Sequence, residues 1–260
     1  MAFLEMTFRS HALSMNVPVN VVLPELPANA EQGGAPSGTY KTLYLLHGLS
    51  GNHMDWMRRT SIERYATEHH IAVVMPEVAR TWYTDTAYDA KYFTYITQEL
   101  PAICRSYFKG MTDRREDNLI AGISMGGYGA LKAALTYPEN YCGCAALSGA
   151  LDITRKGRNY NLNEWRSIFG FDMENAMELE GTKHDIFSLV EKVTKSGAQL
   201  PRLFLWCGTE DTLITANRNY HELLTKLNVE HRYEESAGNH NWKYWDEHIQ
   251  DALRYLFPNE

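Results

Sequence analysis

Apolar residues in this chain fall into short β-branched or aliphatic runs, separated by longer stretches with helical spacing. Val17–Leu23 is the first such run and stops at Pro24. A loop at 25–39, rich in glycine and proline, leads to Thr42–Leu46 (TLYLL), which runs directly into His47-Gly48. Ala72–Met75, Asn118–Ile123 (NLIAGI), Gly143–Leu147, Arg202–Cys207 (RLFLWC) and Glu230–Glu235 complete the predicted strands. Helical patterns cover Thr60–His69, Lys91–Phe108, Met125–Leu135, Thr215–Leu227 and Trp242–Leu256, and Pro101 predicts a kink in the second. Short buried strands alternating with helices predict a mostly parallel sheet flanked by helices on both faces. The first two strands have no helix between them, which predicts an antiparallel edge. Residues 150–198 break the rhythm, with helix-like pieces around 163–169 and 184–195 but no clear buried strand. They predict a lid- or cap-like excursion over the strand ends of one domain spanning 1–260. Ordinary connecting helices would leave the same pattern.

Composition narrows the function classes. With 260 residues, 44% hydrophobic and 22% charged, the chain can bury a core of ordinary size. A net charge of −7 and no basic run longer than Arg58-Arg59 or Arg114-Arg115 exclude nucleic acid as a partner. No window approaches a membrane span, so no membrane partner is expected. The N-terminus lacks a basic segment followed by an apolar stretch, which argues against a secretory leader. Cys104, Cys142, Cys144 and Cys207 form no C-x-x-C pair and read as free buried thiols of a cytoplasmic protein. No His/Cys group has metal spacing, so neither a metal nor a cofactor is expected.

The candidate chemistry starts at Gly122-Ile123-Ser124-Met125-Gly126, a G-x-S-x-G sequence. Five residues alone are weak. Here they follow a predicted strand and open a helix of small residues, the strand–turn–helix that a nucleophile elbow requires. Such a turn forces the serine into a strained backbone and lifts its hydroxyl above the sheet. A serine hydroxyl needs a base, and the base needs an orienting acid. On this architecture the order is Ser, acid, His. Asp211 lies in Gly208-Thr209-Glu210-Asp211, just past a late strand, with Glu210 as its competitor. His240 lies past the last strand and before the final helix, whereas His221, His231 and His248 fall inside predicted elements. An oxyanion hole needs two backbone N–H groups. Met125 supplies one; the His47-Gly48-Leu49-Ser50 loop supplies the other, with Leu49 favoured over Gly48 and Ser50. Trp82 and Tyr83 follow a strand end, where ligands bind in open α/β sheets, so they are candidates to line a substrate site. Core packing explains them equally well. Trp56, Trp165 and Trp242 are weaker candidates of the same kind.

Together the blocks LYLLHGLSGNH (43–53), WYTDT (82–86), AGISMGGYGA (121–130), LSGAL (147–151) and AGNHNW (237–242) resemble the esterase D/S-formylglutathione hydrolase group. The bacterial tributyrin esterases of the EstA type are the most similar branch, over about residues 5 to 257. The resemblance implies an α/β-hydrolase fold and a Ser124–Asp211–His240 triad. It implies oxyanion donors at Leu49 and Met125, no metal, and a small-molecule ester as substrate. It further implies short acyl groups of the acetyl or butyryl type, acetylated sugars among the substrates, and assembly as a homo-oligomer. The thioesterases of the group carry Thr-Cys after the oxyanion-loop Gly-Leu, where this chain has Ser50-Gly51. That departure favours a serine carboxylesterase working through an acyl-Ser124 intermediate. An S-formylglutathione hydrolase or an acyltransferase with the same triad remains the alternative. An intact Ser/Asp/His set in order disfavours a non-enzymatic scaffold.

Overall fold

A computed structural model describes residues 1–25, 38–154, 161–170, 174 and 176–258. Its frame is an eight-stranded sheet in the order β1-β2-β4-β3-β5-β6-β7-β8. The strands are β1 (Ala2–Ser10), β2 (Met15–Leu23), β3 (Thr42–Leu46), β4 (Ala72–Pro76), β5 (Asn118–Ile123), β6 (Gly143–Leu147), β7 (Arg202–Gly208) and β8 (His231–Ser236). From β4 to β8 all neighbours are parallel; β2 pairs antiparallel with both β1 and β4. The helices are α1 (Asp55–Arg59), α2 (Ile62–His69), α3 (Tyr92–Thr94), α4 (Leu100–Tyr107), α5 (Met125–Thr136), α6 (Leu162–Phe169), α7 (Ile186–Ser196), α8 (Ile214–Lys226) and α9 (Trp242–Leu256). This is the mostly parallel, two-sided α/β architecture that the strand–helix alternation predicts.

Two expectations need correction. The antiparallel edge is not made by Val17–Leu23 and Thr42–Leu46. β2 pairs with β1 and β4, and β4 separates it from β3. β1 itself was not predicted, although Leu4, Met6 and Phe8 alternate with Glu5, Thr7 and Arg9. The inward set is only half-buried, as befits an edge strand, so its apolar signal is weak. The bend expected at Pro101 takes the form of a π turn, Tyr95–Glu99, between α3 and α4.

The sheet carries apolar clusters on both faces. One gathers Tyr44, Leu46, Tyr128, Leu131 and Tyr220; the other gathers Leu43, Leu45, Trp56, Phe204 and Trp245. Every residue of α5 from Met125 to Leu135 is buried, so the helix after Ser124 has no solvent face. Within the predicted excursion, α6 is capped by the Asn161 side chain, which accepts from the Asn163 and Glu164 N–H groups. Asp185 does the same for α7, which ends at the left-handed Gly197. Parts of the excursion, 155–160, 171–173 and 175, lie outside the described residues.

Candidate active site

Ser124 joins β5 to α5 with φ 52 and ψ −117, a conformation that costs an L-residue about 1–3 kcal/mol. The surroundings over-determine it. Its N–H donates to the Leu147 carbonyl at 3.0 Å, and its own carbonyl accepts from Ala150 at 3.0 Å and Tyr128 at 3.2 Å. The flanking glycines are sterically required. A Cβ on Gly122 would sit 2.4 Å from the Gly126 carbonyl carbon, and one on Gly126 would sit 2.5 Å from the Leu46 oxygen.

The structure brings Ser124, His240 and Asp211 together. Ser124 Oγ is 3.0 Å from His240 Nε2, and His240 Nδ1 is 2.9 Å from Asp211 Oδ2. Asp211 is buried while the His240 side chain is 33% exposed, which leaves the imidazole reachable from solvent. Burial pushes the Asp211 carboxyl up. The His240 ring and the Leu213 N–H, which donates to Oδ1 at 2.8 Å, outweigh it and hold the group below its ordinary value. Glu210 turns elsewhere: its carboxylate accepts from the Gly238 N–H and its N–H donates to the Gly238 carbonyl at 2.9 Å. The competitor acid therefore pins the loop that carries His240 rather than the imidazole. Ser148 and Trp245 escaped the sequence reading. The Trp245 Nε1–H donates to Ser148 Oγ at 3.0 Å, Ser148 also supports the Asp211 carboxylate, and the Trp245 ring stands edge-on to His240 at 4.8 Å.

The loop after β3 is organised by His47. Val78 N–H donates to His47 Nε2 at 3.2 Å, so the network assigns the proton to Nδ1, which donates to the Gly48 carbonyl at 2.7 Å. Burial drives the His47 pKa down against the pull of Gly48 and Glu77, in keeping with this neutral tautomer. Gly51 N–H meets the same Gly48 carbonyl at 3.0 Å. A trans peptide directs its N–H opposite its C=O. Holding the Gly48 carbonyl in this way turns the Leu49 N–H to the other side. Neither Leu49 N–H nor Met125 N–H donates to a protein acceptor among the described residues; Met125 opens α5, where a helix leaves such donors unused.

A cavity of about 440 Å³ lies over Ser124, lined by the Gly48–Gly51 loop, Asp55, Arg59, Ile123, His240, Trp242 and Trp245. Trp82 and Tyr83 do not line it. Both are buried: Trp82 stands edge-on to Tyr128 and Trp165, and the Tyr83 hydroxyl donates to the His47 carbonyl at 2.9 Å. The core-packing alternative describes them. Of the weaker tryptophan candidates, Trp242 reaches the cavity wall, Trp56 is buried behind it, and Trp165 packs on Trp82.

A second serine has a similar set of partners. Ser236 Oγ is 3.0 Å from His248 Nε2, and His248 Nδ1 is 2.7 Å from Asp251 Oδ2. The differences are chemical. The Trp206 Nε1–H donates to Ser236 Oγ at 3.0 Å and draws on its lone-pair density, which lowers its nucleophilicity. Ser236 ends a strand rather than sitting on a left-handed turn before a helix.

The chain matches the protein family described as "Putative esterase" over residues 10–256. The chain belongs to this family. An acetyl esterase from Caldicellulosiruptor saccharolyticus is 34% identical over 266 residues, which cover 98% of each protein. Among solved structures, a fluorophosphonate-binding serine hydrolase of Staphylococcus aureus, FphF, superposes with a TM-score of 0.89 at 33% identity over 99% of both chains. The S-formylglutathione hydrolase FrmB of the same organism gives 0.84 at 33% identity over 98% of both. This esterase is thus a serine-type carboxylic ester hydrolase with the α/β-hydrolase fold, in keeping with the esterase D-like sequence blocks. Among the described residues, none of its helices is long and apolar enough to cross a membrane.

Proposed function

We propose that this esterase hydrolyses short-chain acyl esters, acetyl or butyryl, through an acyl-Ser124 intermediate, with acetylated sugars in its range. The observation that carries the reading is the continuous relay from Ser124 Oγ through the His240 ring to Asp211, hung on a left-handed serine. His240 Nε2 takes the hydroxyl proton as Ser124 Oγ attacks the ester carbonyl. Asp211 holds the Nδ1–H tautomer and stabilises the imidazolium that forms. The Leu49 and Met125 amides receive the oxyanion. The acyl–oxygen bond then breaks, the alcohol leaves with the proton from His240, and water repeats the sequence on the acyl-enzyme. The acetyl esterase relative supports the short acyl group.

The FrmB relative supports a second reading, a thioesterase acting on S-formylglutathione, which uses the same machinery. Transfer of the acyl group to an acceptor alcohol is the third outcome that this machinery allows. We read residues 1–260 as one domain, with the 150–198 excursion as a cap. The Arg80–Glu164 ion pair at 2.8 Å and the Trp82–Trp165 contact, which tie it to the loop after β4, support the cap. The four free thiols support a cytoplasmic setting, and a homo-oligomer is the expected assembly.

The test is Ser124→Ala with nitrophenyl esters from acetyl to octanoyl, acetylated sugars and S-formylglutathione, with and without acceptor alcohols. A loss in kcat of about 10⁴-fold or more is expected, with the best turnover on the shortest oxygen esters. Retained turnover in the variant would sink the assignment of Ser124. A preference for the thioester would replace the substrate class.

A further inference from the structure

Trp82 and Tyr83 are successive non-glycine residues with left-handed φ values of 53 and 48. The Tyr83 carbonyl is held from α5, and the Trp82 carbonyl by Thr84. The fully buried Lys132 lies about two turns beyond Ser124. Its Nζ donates to the Tyr83 carbonyl at 3.1 Å and to Thr84 Oγ1 at 2.7 Å, and His184 Nδ1 lies 3.2 Å away. Thr84 gives its own proton to the Trp82 carbonyl at 2.9 Å, which frees its lone pairs for Lys132. The Phe93 and Tyr128 rings face the amino group at 4.9 and 5.6 Å. Three partners match the three N–H groups of an ammonium. A neutral amine would keep the first two and turn its lone pair to a proton on His184. Both forms anchor the Tyr83 carbonyl.

The other end of Tyr83 meets the oxyanion loop. Its ring lies against Gly129 of α5, where a Cβ would come within 2.4 Å of Tyr83 Cδ2. The hydroxyl then reaches the His47 carbonyl at 2.9 Å. That carbonyl also presses on α5, 2.6 Å from where a Cβ on Gly126 would stand.

We propose that Tyr83 is a positioning residue for the oxyanion hole. Braced by Lys132, its hydroxyl fixes the His47–Gly48 peptide against the start of α5, so the Leu49 and Met125 N–H groups keep a constant spacing. The inference rests on the reading of those two amides as oxyanion donors. Tyr83 lines no part of the cavity over Ser124, so its loss is felt as charge develops on the substrate oxygen and not when the ester binds.

Tyr83→Phe removes the hydroxyl and leaves the ring on Gly129. With active sites counted by fluorophosphonate titration, kcat on nitrophenyl acetate should fall about 10- to 100-fold. KM should move by less than about threefold. Affinity for a trifluoromethyl ketone, whose hemiketal oxygen needs both amides, should fall in step with kcat/KM. A purely structural role would lower the titratable fraction or the melting temperature and leave kcat per site unchanged. A per-site kcat within about twofold of wild type therefore overturns the proposal, as does a loss carried mainly by KM. Lys132→Met should show the same split; if that variant does not fold, Tyr83→Phe decides alone. A Ser124→Ala enzyme that still turns over refutes the proposed function, whereas an inactive Ser124→Ala beside an unaffected Tyr83→Phe refutes only this inference.

Discussion

Replacing Asp211 with asparagine exchanges one carboxylate oxygen for an NH₂ group and inverts the hydrogen-bond logic of the site. Oδ1 accepts from the Leu213 N–H at 2.8 Å and Oδ2 faces His240 Nδ1 at 2.9 Å. The oxygen of the new amide belongs on the Leu213 side, so its NH₂ points at the imidazole. Nδ1 must then accept, the ring proton moves to Nε2, and Ser124 Oγ faces a donor where it needs a base. Flipping the amide restores the tautomer but sets two donors against each other at Leu213. Leaving a buried donor unpaired costs about 1–3 kcal/mol, so the productive form falls to roughly a tenth or a hundredth. Loss of the charge beside the imidazolium removes a charge-assisted bond worth about 1.5–3 kcal/mol, another factor of about 10 to 100. The product is a loss in kcat of about 10² to 10⁴. Initial rates on nitrophenyl acetate measure it, with melting curves to confirm that the variant is folded. A kcat within about fivefold of wild type would refute the tautomer argument. A larger loss in Glu210→Gln than in Asp211→Asn would transfer the acid role to Glu210.

Two further outcomes follow from neighbouring geometry. Peptide mass mapping after fluorophosphonate treatment should find the adduct on Ser124 and none on Ser236, and Ser236→Ala should label at the wild-type rate. An adduct on Ser236 would mean that the Trp206 N–H does not quench it. The second concerns acid stability. His184 is pushed down to about 2, by burial first and then by Lys132 and Lys183, so the folded state keeps it neutral. The unfolded chain protonates it near its ordinary value of about 6.5. Its contribution is therefore intact above that pH and is lost as pH falls, by up to about 1.4 kcal/mol per pH unit. Denaturant titrations at about pH 7.5 and 5 should show this slope, and His184→Gln should flatten it by about one proton. An unchanged slope in that variant would assign the acid sensitivity to other groups.

The parts of the site that were legible in sequence are those fixed by local chain geometry. Ser124, Asp211 and His240 each follow a strand of the parallel sheet, so position along the chain implied position in space. The Gly48–Leu49 loop that borders the cavity follows β3 by the same rule. Tyr83 could not be read this way. An aromatic residue after a strand end suits a pocket wall or the core equally, and the contacts that settle it, with His47 and Lys132, lie 36 and 49 positions away. Ser148 and Trp245 stayed hidden because their link spans 97 positions and joins a strand end to the last helix. β1 went unassigned because an edge strand that buries only half of one face shows little apolar contrast.

The order in which the parts occur along the chain also bears on synthesis. Ser124, its elbow and the Gly48–Gly51 loop all precede residue 130, and β3 and β5 hold them together as neighbours. His240 and two cavity-lining tryptophans arrive only with residues 240–245. A chain cut short of residue 240 would carry Ser124 with no imidazole beside its hydroxyl, and should turn over no ester.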